Sequence, residues 1–197
     1  EEEEEEKYPI QRICFSKECE CNVKAVSFIA LLARLAIDFH SFEDNERGGL
    51  LIKDWADDNT FPNLIYSFDS RVPDQNDVIL TLLVQLKRMG LFKKEDIREY
   101  RLVFLLCACA GCVLPERVIQ FLVEWDPTSL LQTDINGWYP LYWAARTSIR
   151  GFTIVFRYVI HYYPYQKGIR LLFIKKIMLW VCQGPHSKMP VKSMEGM

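Results

Sequence analysis

The sequence predicts an all-α fold, and three observations lead to that prediction. Apolar residues recur every three or four positions through most of the 197 residues, which is the spacing of one helix face. No alternating run of apolar and polar residues is long enough to require a β-sheet. Apolar positions in the second half coincide when the chain is shifted by 37 residues. This spacing predicts a helical solenoid of about two helix-pair repeats after an N-terminal helical region.

Composition excludes several classes of protein. Hydrophobic residues make up 50% of the chain, which is enough for a substantial core and too many for a disordered protein. The net charge of −2 creates no overall field that would attract nucleic acid. No apolar run approaches the roughly 18 residues that are needed to span a bilayer.

Residues 1–21 are predicted to form an acidic, disordered segment. The six glutamates at positions 1–6 repel one another, and they are the opposite of the positive start of a signal peptide. The chain has seven cysteines, an odd number. Together these features favour a reducing, intracellular location, either cytoplasmic or nuclear.

Residues 22–100 are predicted to form the N-terminal helical region. A helix over about 23–39 follows Asn22 and is apolar nearly all round, so we expect it to be buried between neighbours. A helix over 79–89 has Asn76 or Asp77 as its cap and ends at Gly90. Short helices are predicted at 50–56, 62–68 and 94–100, with a loop at 71–75. The apolar stripe of the helix over 79–89 consists of Ile79, Leu82, Leu83, Leu86 and Met89.

Residues 101–175 contain the two repeats. Each unit is predicted to be a short helix, a turn and a longer helix that ends before a proline, Pro127 or Pro164. One such helix pair cannot bury both of its faces, so the two must stack. The residues that we expect to be buried on this basis are Phe104, Leu106, Cys107, Leu141, Trp143, Ala144, Val155, Phe156, Val159 and Ile160.

The second unit carries the segment DINGWYPLYWAA over residues 134–145. It resembles the ankyrin-repeat signature D-x-x-G-x-T-P-L-H-x-A-A. Tyr139 and Tyr142 stand where the family has Thr and His, so the family's Thr–His hydrogen bond is absent, and we expect aromatic packing of Trp138, Tyr139 and Tyr142 to hold this helix start. The matching residues are Asp134, Gly137, Pro140, Leu141, Ala144 and Ala145.

The wider region over 102–175 is similar to divergent ankyrin-like proteins of families expanded in some unicellular eukaryotes. The runs that carry this resemblance are 121–137, 150–152 and 162–173. It implies ankyrin-like repeats that bind other proteins through their concave face and turn tips. Residues 176–197 lack another copy of the signature, and they are predicted to form a divergent cap helix with a disordered tail, or a truncated or misread end.

The sequence contains no recognisable catalytic or cofactor-binding constellation. The histidines at 40, 161 and 186 are far apart along the chain, and no glycine-rich phosphate-binding motif occurs. Cys109 and Cys112 have the spacing of a zinc pair, but they and Cys107 lie in a core-like run, which favours buried thiols. We therefore expect no enzymatic activity, no metal and no cofactor.

The aromatic residues of the second repeat are the candidate binding residues. In an ankyrin-like stack the turn with Trp138 and Tyr139 would project at an exposed edge, and Tyr142 and Arg146 would share a face just behind it. Trp, Tyr and Arg dominate interface energetics, so these four residues are predicted to bind a protein. The alternative is that the aromatic rings only fill the space between neighbouring turns.

Three functions follow from these patterns. The favoured one is a non-catalytic protein–protein interaction module. The first alternative is a structural or degenerate helical solenoid with no retained partner. The second alternative is a basic face that binds nucleic acid or a membrane surface. Its candidate residues are Arg146, Arg150, Arg157, Arg170, Lys175 and Lys176.

Overall fold

The computed structural model describes residue 10 and residues 23–51, 73–108 and 114–164. Regular structure in these ranges is helical and includes no strand, which confirms the all-α prediction. None of the helices in these ranges has the length and apolar character needed to cross a bilayer. The α-helices are α1 Val23–Val26, α2 Ile29–Asp38, α3 Pro73–Arg88, α4 Lys94–Glu99, α5 Leu102–Ala108, α6 Glu116–Trp125, α7 Pro140–Thr147 and α8 Ile149–Tyr162, and the 3-10 helices are Asp44–Glu46 and Pro127–Leu131.

The stripe on α3 faces the core as predicted. Ile79, Leu82, Leu83 and Leu86 are buried, and Met89 is half-buried against them. At the end of the helix Gly90 has φ +74°, and its N–H donates to the carbonyl of Lys87. The N–H of Leu91 donates to the carbonyl of Leu86, which completes a Schellman motif.

The predicted start of α3 is wrong. The helix begins at Pro73, so Asn76 and Asp77 lie inside it and residues 73–75 are not a loop. Proline suits the first helical position because its φ is already helical and its missing N–H has no partner there in any case. The polar residues after Pro73 therefore do not mark the helix boundary.

The predicted helix over 23–39 is divided into α1 and α2 by a turn at Ser27 and Phe28. Both helices pack on α3, and α2 buries Ile29, Ala30 and Ala33. The expectation that this segment is buried all round is wrong, because one face of α2 is exposed. The exposed residues are Phe28, Leu31, Leu35 and Phe39.

Several predicted segments fall wholly or partly outside the described residues. These are the helix at 62–68, most of the helix at 50–56, and residues 176–197. Leu50 and Leu51 lie in a turn, and the side chain of Leu50 is buried. Within the predicted acidic segment 1–21 the structure describes Ile10, whose side chain is buried in the core cluster.

The predicted helices of the two repeat units are present as α5 with α6 and α7 with α8. α5 packs against α4, α6 and α7, and α7 also packs along α8. None of the ten side chains expected to be buried is exposed. Cys107, Leu141, Ala144, Val155 and Val159 are fully buried, and Phe104, Leu106, Trp143, Phe156 and Ile160 are half-buried.

Replacing Ala144 with leucine is expected to destabilise the protein by about 1–3 kcal/mol. Ala144 is completely buried on α7, which packs against both α5 and α8, so three extra carbons would force these helices apart. Urea unfolding followed by circular dichroism measures the change. Thr153→Leu, at an exposed position on α8, is the matched control and is expected to have little effect. Equal stability of Ala144→Leu and wild type would contradict close packing at this position.

Candidate protein-interaction site

Asp134 organises the turn that precedes α7. Its Oδ1 accepts hydrogen bonds from the N–H groups of Asn136, at 2.9 Å, and Trp138, at 2.7 Å. Its Oδ2 accepts from the indole Nε1 of Trp143 at 3.2 Å. Gly137 closes the turn with φ +76° and donates to the Asp134 carbonyl at 3.1 Å. One carboxylate thus ties the turn tip to the second turn of the helix behind it.

The start of α7 has no side-chain cap. Tyr139 is in the N-cap position with extended backbone, and Pro140 is the first helical residue, as the sequence predicts. Trp138 stacks on Tyr142 with ring centroids 4.0 Å apart and an interplanar angle of 18°. The expected aromatic packing at this helix start is therefore present, and Tyr139 also packs against the core cluster.

Tyr142 is buried, with 2% of its surface exposed, so its expected exposure behind the turn tip is wrong. Its phenol oxygen has no hydrogen-bond partner among the described residues. Burial raises the pKa of Tyr142; the nearby Arg146 charge opposes this shift and the Asp134 charge adds to it. Its ring is stacked under Trp138, so Tyr142 supports the turn tip from beneath.

Arg146 is exposed and is positioned by an aromatic platform. Its guanidinium carbon lies 5.0 Å from the ring centroid of Trp143, which is a cation–π distance. The ring of Trp143 is itself fixed on its edges by Phe104, at 5.8 Å, and by the hydrogen bond to Asp134. Arg146 is exposed, and no carboxylate of residues 23–51, 73–108 or 114–164 forms an ion pair with it.

Ile135 is the most exposed large hydrophobic residue of the described chain. It lies at the turn tip next to Asp134, and 90% of its surface is exposed. Sequence reasoning missed both residues, because Asp134 counted only as a match to the signature and Ile135 occupies one of its variable positions. An Asp three residues before a turn glycine is the local signal that indicates such a side-chain-supported turn.

Three of the four predicted binding residues reach the surface, with different degrees of exposure. Arg146 is exposed, and Trp138 and Tyr139 are half-buried, whereas Tyr142 is buried. Together with Ile135 they place an apolar tip and an aromatic edge at the start of α7 and a cation in its last turn. Trp143 lies between them, because it donates to Asp134 of the turn and carries Arg146 over its ring. This combination suits protein recognition, which uses apolar and aromatic contacts together with Arg.

The residues considered for chemistry do not form a site in the described part of the chain. No group of three or more metal-ligating side chains occurs there. Burial raises the pKa of the Cys107 thiol, which keeps it protonated, and Cys109, Cys112 and His186 lie outside the described residues. His40 follows the end of α2, and His161 packs edge-on against Tyr162 with centroids 4.7 Å apart.

The basic face is partly neutralised where the structure describes it. Arg157 and Arg150 lie 3.5 Å and 4.0 Å from the carboxylate of Glu116. Arg170, Lys175 and Lys176 lie outside the described residues. A shared carboxylate lowers the positive potential that binding to phosphates needs.

Comparison with known proteins identifies no relative: no protein-family model matches the chain, and neither a curated protein nor a solved structure is significantly similar to it.

Proposed function

We propose that this protein is a non-catalytic protein–protein interaction module, built on two ankyrin-like helix-pair repeats, that binds its partner at the turn tip and first helix of the second repeat. The observation that carries the proposal is Ile135, 90% exposed on a turn that Asp134 holds in place. An isoleucine in that position leaves apolar surface in water, and a partner that covers it gains about 1.5–3 kcal/mol.

The repeat architecture is supported by matching features of the two units. α6 and α8 end at Trp125 and Tyr162, which are separated by the 37 residues of the proposed repeat. Val118 and Val155, and likewise Leu122 and Val159, are equivalent at this spacing and buried in both units. The first helices of the two units, α5 and α7, pack against each other, which is the contact that a stacked repeat requires.

Each residue of the site has a separate part in the proposed interaction. Ile135 supplies apolar contact area, and Arg146 supplies hydrogen-bond donors that its indole platform holds in place. Trp138 adds an aromatic edge, Tyr139 borders the tip, and Tyr142 keeps Trp138 in position. A preorganised surface loses less conformational entropy on binding, which raises the affinity that a small contact area can reach.

Affinity capture with quantitative mass spectrometry tests the proposal. The full chain is immobilised, and its captured proteins are compared with those of Ile135→Asp combined with Arg146→Glu. Both changed side chains are exposed, so the fold should persist, and specific partners should fall at least tenfold in recovery. Thr81→Asp combined with Arg88→Glu is the matched control, because it makes the same charge change at two exposed residues of α3, outside the proposed site. Recovery of the same partners by both variants would contradict the proposal.

A second variant tests the stacked aromatic rings that lie beneath the turn tip. Trp138→Ala combined with Tyr142→Ala removes the stacked pair and should also abolish capture. Because Tyr142 is buried, circular dichroism and thermal melting must accompany this measurement. Loss of the cooperative transition would show that these rings are needed for the fold itself. Ile135→Asp combined with Arg146→Glu would then be the variant that tests the function. Salt-sensitive binding of the wild-type chain to nucleic acid or anionic vesicles, with no protein captured, would favour the basic face instead.

A further inference from the structure

A row of large apolar side chains on α2 lies in water. Phe28, Leu31, Leu35 and Phe39 are 55%, 53%, 40% and 77% exposed. They account for four of the six exposed large hydrophobic residues in the described part of the chain. We call this row the α2 stripe.

The α2 stripe is continuous and lies opposite the buried face of the helix. The N–H of Leu32 donates to the carbonyl of Phe28 at 2.8 Å, and that of Phe39 donates to the carbonyl of Leu35 at 2.9 Å, so helical geometry extends over all four residues. With 3.6 residues per turn, the stripe occupies a sector of about 80°, and the buried Ile29, Ala30 and Ala33 lie on the other side.

The order of side chains in the stripe reads the same in both directions: Phe, Leu, Leu, Phe at positions 28, 31, 35 and 39. A two-fold axis that passes near residue 33 would place α2 of a second copy antiparallel to α2 of the first. Phe28 of one copy would then face Phe39 of the other, and Leu31 would face Leu35. Self-complementarity of this kind is what a symmetric interface between identical chains requires.

The charge and the area of the α2 stripe are both compatible with binding of a second copy of the chain. Arg34 and Asp38 flank the stripe and form an ion pair at 3.2 Å, so this flank carries no net charge that would repel a second copy. The exposed fractions leave roughly 400–500 Å² of apolar surface, about half of the ~800 Å² that each partner of a standard interface buries, which corresponds to a small interface.

We propose that the α2 stripe is the dimerisation surface of this protein, in which α2 pairs antiparallel with α2 of a second copy. The interface is small and lacks charged contacts at its centre, so we expect a weak, reversible dimer. It lies on a different helix from the turn tip, and the proposal does not depend on the proposed function. Dimerisation would present two partner-binding tips on one particle.

Sedimentation velocity of the full chain between 2 and 200 µM tests this proposal. The weight-average mass should rise from 23.2 kDa toward twice that value. Leu31→Lys should raise the dissociation constant at least tenfold, because each substitution occurs twice in a symmetric interface. Ile149→Lys adds the same charge at an exposed aliphatic residue away from the stripe, 69% exposed on α8, and should leave the dissociation constant unchanged.

A charge-pair experiment tests the antiparallel register. Leu31→Lys and Leu35→Glu should each be monomeric alone, and an equimolar mixture should recover a heterodimer, because residue 31 of one copy faces residue 35 of the other. Recovery with Leu31→Lys plus Leu31→Glu instead would overturn the antiparallel arrangement. A wild-type protein that stays monomeric at 200 µM would overturn the whole proposal. The proposal would also be overturned if the monomer co-sedimented with phosphatidylcholine vesicles and Leu31→Lys abolished that co-sedimentation.

Discussion

Asp96→Ala is expected to destabilise the protein by about 3–5 kcal/mol, because it leaves a largely buried arginine without its counter-charge. The carboxylate of Asp96 is 2% exposed and pairs with Arg47, whose side chain is 15% exposed. The same oxygen accepts the N–H of Lys93 at 2.6 Å and caps α4, and Arg47 also donates to the carbonyl of Leu91 at 3.3 Å. The contact therefore joins the turn after α2 to the start of α4.

A double-mutant cycle measures the coupling between these two charges. Arg47→Ala should also be destabilising, since it leaves the buried Asp96 carboxylate without its counter-charge, and the Oδ1 of Asp96 has no hydrogen-bond partner among the described residues. Because both single variants remove the same interaction, the double variant should fall short of the sum by at least about 1 kcal/mol. Chemical unfolding of all four proteins supplies the values, and strict additivity would contradict the coupling.

The matched control is the exposed pair Arg34 and Asp38. Their side chains are 61% and 51% exposed, and the nitrogen–oxygen distance is 3.2 Å. Solvent screening limits such surface pairs to about 0–1 kcal/mol, so Arg34→Ala should have a small effect on stability. The comparison separates burial of the charges from the presence of an ion pair as the cause of the Asp96 effect.

Gly48→Ala is expected to be the second severe substitution, at about 2–5 kcal/mol. Gly48 has φ +66°, a left-handed conformation that costs other residues about 1–2 kcal/mol. An added Cβ would also lie 2.2 Å from the carbonyl oxygen of Ala33 and 2.9 Å from its Cα. These are backbone atoms of α2, so the helix would have to move away, at a further cost of about 1–3 kcal/mol.

Gly90→Ala separates the cost of the left-handed backbone conformation from the cost of the close contact with α2. Gly90 has φ +74°, and an added Cβ would meet no atom of the described residues within 4 Å, so the left-handed conformation is the cost that these residues impose. Its expected cost is about 1 kcal/mol. Thermal or urea unfolding of both variants should show Gly48→Ala to be clearly the less stable. Equal losses would contradict the close approach of the turn to α2.

Local sequence patterns determined much of the helical structure. The stripe from Ile79 to Met89 correctly placed the core face of α3, and Gly90 and Pro140 correctly marked a helix end and a helix start. These features depend on periodicity and on backbone preferences of Gly and Pro, which act over a few residues. The polar residues before Ile79 misplaced the start of α3, because Pro73 can begin the helix earlier without a capping side chain.

The candidate site was predictable only in part. The sequence placed Trp138 and Tyr139 at the turn tip and Tyr142 and Arg146 on one face of the helix behind it, since four-residue spacing and a turn glycine are local features. Burial of Tyr142 under Trp138 and exposure of Ile135 depend on how the turn folds back on the helix. That geometry is set by the hydrogen bonds of Asp134 to Trp138 and Trp143, which sequence patterns do not specify.

By itself, the sequence determined that this protein is helical, which faces of α3 and of the helices from α5 to α8 are apolar, and where glycine and proline interrupt them. The tertiary structure alone decided that α2 is covered on one face only, that Asp96 is paired with Arg47 49 residues away, and that Gly48 lies against Ala33. The physical reason is the distance along the chain between the residues that determine each feature. Helix periodicity and turn conformations arise from neighbouring residues, whereas burial and charge pairing depend on which distant segments meet, and an apolar helix face has the same sequence pattern whether it is covered or exposed.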